Sequence, residues 1–132
     1  MSPNEQASRR RRQVCALVEH LGQLADRAQG RCKLLAGTLY ERWRRCGKNN
    51  CRCVDGKLHA ARVFSIHEGG VSRQVSIAGI DWEELALYVQ ANREFRRTRA
   101  EIARTCAELM ETVDQLGNSR RISLDELRRA SR

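Results

Sequence analysis

Val14, Leu17, Leu21, Leu24 and Ala28 recur at steps of 3, 4, 3 and 4 residues, the seam of an amphipathic helix. Gly30 follows as a stop, so residues 13–30 are read as an N-terminal helix. A longer seam runs from Leu85 through Tyr88, Asn92, Phe95, Arg99, Ile102, Cys106, Leu109 and Val113 to Leu116, again in alternating steps of 3 and 4, and ends before Gly117. Asp81 is suited to cap it, with Glu84 three residues on as a capping-box partner. At about 1.5 Å per residue this seam is about 50 Å long, and residues 81–117 are predicted to form a coiled-coil-like helix. Ser123 and Glu126 repeat the capping-box spacing around Leu124, so residues 118–132 are read as a short C-terminal helix.

Between the two long seams the period changes. Gly37, Gly47, Gly56, Gly69, Gly70 and Gly79 cut the middle of the chain into short pieces. Residues 39–45 and 61–67 read as strands. In residues 71–77, Val71, Arg73, Val75 and Ile77 alternate with Ser72, Gln74 and Ser76, which is a strand pattern. Glu68-Gly69-Gly70 supplies a tight hairpin turn. The predicted class is therefore α+β. It has an N-terminal helix, a small antiparallel hairpin or sheet in residues 31–80, a long heptad helix and a short terminal helix. Residues 1–12, which contain Arg9-Arg10-Arg11-Arg12, are expected to form a basic disordered arm.

With 132 residues and an aromatic content of 5%, the chain has little material for a large core, and something besides apolar burial is expected to hold its centre. No apolar run approaches the roughly 20 residues of a membrane span, and no apolar stretch of roughly 7–15 residues follows the N-terminus. A cytoplasmic protein without a membrane partner is expected. In that reducing setting, six cysteines argue for metal or buried thiols rather than disulfides.

The cysteines cluster. Cys46, Cys51, Cys53 and His59 follow the spacing C-x4-C-x-C-x5-H. Tetrahedral zinc asks for four soft donors, with Zn–S about 2.3 Å, and the glycine and asparagines of Gly47-Lys48-Asn49-Asn50 let the chain double back between the first two thiols. Zn²⁺ held by Cys46, Cys51 and Cys53 is the reading, with His59 or Cys32 as fourth ligand. Cys15 and Cys106 are expected to be buried small side chains. The basic residues around the cluster would favour thiolates.

Charge is polarised in the same way. Residues 1–62 hold 14 Lys or Arg against 5 Asp or Glu, whereas residues 63–132 balance at 11 of each. A one-sided excess points to a polyanionic partner. Arg42, Arg44, Arg45, Lys48, Arg52 and Lys57 surround the cluster, with Tyr40 and Trp43 interleaved as stacking surfaces. Arg9, Arg10, Arg11 and Arg12 would add an auxiliary arm. No Ser/His/Asp set, paired carboxylates or phosphate loop is present in the sequence, and a mostly sulfur ligand set describes a closed zinc site, so no enzyme is predicted.

These residues also resemble a family of small bacterial and archaeal proteins of unknown function. The resemblance rests on Gly37-Thr38-Leu39, on Cys46 to Cys53, on Gly56-Lys57-Leu58-His59, on the Gly69-Gly70 turn and on Asn92-Arg93-Glu94-Phe95-Arg96-Arg97. It extends over residues 37–109. Asn49-Asn50 and Ala60-Ala61 depart from the family's Pro-containing pair and Gly-Pro. The resemblance implies a zinc knuckle with helices, in genes associated with mobile elements, and no known activity. The expected function is an accessory or regulatory factor of a DNA-handling system that binds DNA or RNA through backbone contacts. The alternative is an assembly adaptor that forms a homodimer, or takes a helical partner protein, through Leu85, Tyr88, Phe95, Ile102, Leu109, Val113 and Leu116.

Overall fold

The computed structural model describes residues 1–45 and 47–132, without the side chains of residues 53 and 54. Its elements are α1 (Pro3–Ala28), β1 (Thr38–Arg44), a 3-10 turn at Arg52–Asp55, β2 (His59–Glu68), β3 (Val71–Val75), α2 (Trp82–Arg120) and α3 (Leu124–Ala130). The class is α+β, as the periodicities predict. The chain divides into two compact units, one of residues Met1–Gly30 with Arg96–Arg132 and one of Arg31–Phe95.

In the second unit β1, β2 and β3 form an antiparallel sheet in that order. Gly69 (φ 58°) and Gly70 (φ 80°) join β2 to β3, and two consecutive positive φ angles are what a two-residue I′ hairpin requires. Glu68 therefore pairs with Val71, His67 with Ser72 and Ser65 with Gln74. On the other side Tyr40 pairs with Val63, Arg42 with Ala61 and Arg44 with His59. Opposite residues share a face. One face accordingly carries Leu39, Glu41, Trp43, Arg62, Phe64 and Val75, and the other Tyr40, Arg42, Arg44, His59, Val63, His67, Ser72 and Gln74.

The first of these faces looks toward the start of α2, where the Arg62 guanidinium lies 4.8 Å above the Trp82 ring. Val63, Phe64, Leu85 and Val89 are the buried apolar residues of this unit. The segment before β1 is fixed to α2 by the Leu35 amide, which donates to the Tyr88 carbonyl at 3.1 Å. Gly37 must be glycine for a packing reason: a Cβ there would overlap ring atoms Cε2 and Cζ of Phe64. Asp81 caps α2 through Oδ1, which accepts from the Glu83 amide at 3.3 Å. Glu84 does not close a capping box; its carboxylate accepts from the Tyr88 hydroxyl at 3.0 Å.

The first unit corrects two expectations. Residues 1–12 are not a disordered arm, because α1 begins at Pro3. Ser2 Oγ accepts from the Glu5 amide at 3.2 Å, and Glu5 Oε2 accepts from the Ser2 amide at 2.7 Å. These bonds from Ser2 hold the Glu5 carboxyl below the usual glutamate range. The capping box puts Arg9–Arg12 on a helix. From there Arg10, Val14, Leu17, Leu21, Leu24 and Ala28 form one half-buried to buried stripe.

The second correction concerns register in α2. Its inward stripe in this unit is Thr98, Ile102, Thr105, Leu109, Thr112 and Leu116. Arg99, Cys106 and Val113, the expected seam positions, are exposed, and Cys15 on α1 is exposed as well. The stripe takes a step of three after Phe95 where the apolar count suggests four. A reading by hydrophobicity passes over threonine, yet its methyl can face inward while its hydroxyl is satisfied locally. Thr112 does this, donating to the Glu108 carbonyl at 2.9 Å. α3 starts from the predicted Ser123–Glu126 capping box and buries no residue.

Candidate metal centre and cationic sheet face

Residues 45–58 connect β1 to β2 and carry the cysteine cluster. The Cys51 amide donates to the Lys48 carbonyl at 3.3 Å, which turns the chain before the 3-10 turn. Gly56, at φ 96°, reverses it again. His59 then starts β2 opposite Arg44. These reversals bring His59 Nε2 to 2.8 Å from Cys51 Sγ. A thiol and an imidazole are thus gathered from positions eight residues apart, and sulfur with imidazole nitrogen is a donor set suited to zinc.

Of the other expected ligands, Cys46 lies outside the described residues, and so does the side chain of Cys53, whose backbone forms part of the 3-10 turn. Cys32 is exposed and lies near Tyr88 of α2. The hydrogen bond to Glu84 raises the Tyr88 pKa, and the Cys32 thiol adds a smaller push in the same direction. Among the described residues, no group of three or more His, Cys, Asp or Glu side chains gathers about one point. Between the two candidates for fourth ligand, the one set against Cys51 is His59.

The two faces of the sheet differ in charge. On the face toward α2 each glutamate meets an arginine: Glu41 is 3.7 Å from Arg62, and Glu68 is 3.6 Å from Arg73. The face turned away from Trp82, the outward face, carries Arg42, Arg44, His59 and His67 and no carboxylate; Val63 beneath these side chains is buried, and Arg42 is half-buried with its Nε shielded from solvent. Gln74 braces it. Its Oε1 accepts from Arg42 Nη2 at 3.0 Å, and its Nε2 donates to the Tyr40 hydroxyl at 3.1 Å. At one end Arg44, Arg45, Gly47, His59 and Ala61 line an open concavity of about 470 Å³. Arg45, Lys48, Arg52 and Lys57 are exposed along the connection beside it.

Sequence reading did not find Gln74, although the Gly69-Gly70 turn fixes its register and so its face. It also grouped Tyr40 with Trp43. The two alternate on β1, so Trp43 lies on the opposite face, 60% exposed. Arg9, Arg11 and Arg12 are exposed on α1 and Arg10 is half-buried, all within the first unit. The proposed oligomerisation seam is divided. Leu85, Tyr88 and Phe95 are buried or half-buried in the sheet unit, and Ile102, Leu109 and Leu116 in the helical unit, while Val113 is exposed.

No helix among the described residues is long and apolar enough to cross a membrane. No curated protein and no solved structure matches the chain significantly. A family model described as a domain of unknown function, DUF6788, matches residues 5–86, which takes in α1, the cysteine cluster, the sheet and the first turn of α2. The chain belongs to that family.

Proposed function

We propose that this member of the DUF6788 family is a non-enzymatic zinc-knuckle protein that binds nucleic acid through the outward face of its sheet, as an accessory factor of a DNA-handling system. Cys46, Cys51, Cys53 and His59 are its zinc ligands. The observation that carries the binding surface is the segregation of charge described above. Arginines that face α2 are paired with glutamates, whereas Arg42 and Arg44 share their face with no carboxylate. An unneutralised cationic face costs solvation and repulsion unless a polyanion meets it. Arg45, Lys48, Arg52 and Lys57 extend the charge along the adjoining connection.

Each phosphate contact releases counterions. With about four to six contacts, log affinity for duplex should fall against log salt with a slope of about −4 to −5. Anisotropy titrations of a labelled oligonucleotide across a range of NaCl concentrations measure it. Neutralising Arg44, Arg45, Lys48 and Arg52 together should flatten the slope by about four. Full binding by that variant, or a flat dependence in the parent, would move the surface from nucleic acid to an acidic protein.

A second reading, a homodimeric or adaptor role, is favoured by one observation. Met110, Val113, Leu124 and Leu127 are large apolar side chains left exposed in the helical unit. Sedimentation equilibrium should then show a dimer that Met110→Asp with Val113→Asp converts to monomer. A parent that is monomeric at tens of micromolar removes this reading.

A further inference from the structure

We infer that the outward sheet face takes single-stranded nucleic acid, DNA or RNA, with unstacked bases laid on Tyr40 and Arg42 and the strand's phosphates on Arg44 and Arg45. This rests on the proposed nucleic-acid function and narrows it to one class of partner. The first observation is shape: the face belongs to a three-stranded sheet on which Tyr40, Arg42 and Arg44 form one row along β1. The second is bracing. One amide, Gln74, hydrogen-bonds both the Tyr40 hydroxyl and the Arg42 guanidinium, so two planar groups are linked through one side chain. Tyr40 nevertheless remains 38% exposed, which leaves ring surface for a partner, and Arg42 is half-buried, so part of its guanidinium plane reaches the surface beside it. An aromatic ring and a guanidinium plane are the two side-chain surfaces on which splayed bases stack.

The third observation is spacing. Tyr40, Arg42 and Arg44 are alternate residues of one strand and point the same way. Alternate residues lie about 6.8 Å apart, twice the rise of about 3.4 Å between bases on one strand of a duplex. Neighbouring bases can occupy neighbouring platforms only if the strand is drawn out beyond its duplex rise, which a single strand allows and a duplex resists. In a duplex the base faces are stacked on one another, so the Tyr40 ring would find no face to stack on.

The test is a comparison of affinities at one salt concentration for single-stranded DNA, single-stranded RNA and the duplex of the same sequence, each about a dozen nucleotides long. At least one single strand should bind tenfold or more tightly than the duplex. Tyr40→Ala should weaken single-strand binding by about 5- to 150-fold and leave duplex binding and the salt slope unchanged. Tyr40→Phe, which keeps the ring and loses only the bond from Gln74, should retain most of the affinity and serves as the folding control. Duplex binding as tight as single-strand binding, or a Tyr40→Ala loss equal on both, overturns the inference while leaving salt-dependent nucleic-acid binding standing. Absence of salt-dependent binding to all three overturns both.

Discussion

Stripping the protein with a chelator at neutral pH is expected to release about one zinc per chain and to unfold the connection between β1 and β2. The size of the effect follows from what else holds that segment. From Arg45 to Leu58, Cys51 is half-buried and every other side chain whose burial is described is exposed. Among these described residues apolar burial contributes next to nothing, and the strand pairing of Arg44 with His59, the Cys51–Lys48 turn and the contact between Cys51 and His59 are what oppose the loop's conformational entropy. Structural zinc supplies roughly 10–16 kcal/mol in small finger domains, far more than such a loop costs to order. Metal analysis of protein purified without added zinc gives the stoichiometry, and circular dichroism before and after chelation gives the unfolding. Cys51→Ser and His59→Ala should each weaken retention, and Cys32→Ala should leave it intact. Protein that is metal-free as purified and melts at an unchanged temperature would remove zinc from the account.

Leu24→Ala is expected to cost about 2–5 kcal/mol, and to act on the helical unit alone. Leu24 is 0% exposed and is the largest fully buried side chain among the described residues. In a unit whose inward stripe on α2 includes three threonines, it supplies a large share of the apolar area removed from water. Urea unfolding followed by far-ultraviolet circular dichroism should show loss of helix at lower denaturant. The zinc stoichiometry should be unaltered, because Cys51 and His59 belong to the other unit. A cost below about 0.5 kcal/mol would mean that α1 is held by something other than its apolar stripe. Simultaneous loss of zinc would mean that the two units unfold as one.

The elements that sequence reading located well are those with two independent local signals. The hairpin had a two-glycine turn and period-2 alternation on its second strand, and α3 had a capping box around its first apolar residue. The start of α1 shows the converse. Ser2-Pro3-Asn4-Glu5 carries a cap, a proline at the first helical position and a capping-box acid, but the arginine run behind it lacks apolar periodicity and reads as an arm. On α2 the expected seam and the observed stripe share Ile102, Leu109 and Leu116 but differ at Thr98, Thr105 and Thr112, because threonine scores as polar while packing as a small branched side chain. At the site, C-x4-C-x-C-x5-H offers Cys51 and His59 as candidates and leaves Cys32 as an alternative; the fold brings the first two to 2.8 Å from each other. What spacing could not give is the sidedness of the sheet. Whether an arginine is paired or free depends on cross-strand register, and that register separates Arg42 from Arg62 although both flank the same strands.

Thr98, Thr105 and Thr112 lie seven residues apart, and so do Ile102, Leu109 and Leu116 between them. The inward stripe of α2 is therefore nearly self-similar under translation by one heptad, about 10.5 Å along the axis. A helix packed on this stripe and slid by that distance would exchange threonine for threonine and leucine for leucine or isoleucine, with little change in the chemistry of packing over the overlap that remains. A heptad-shifted partner would bury the same residue types, so this stripe distinguishes an inward face from an outward one without encoding a position along its own length.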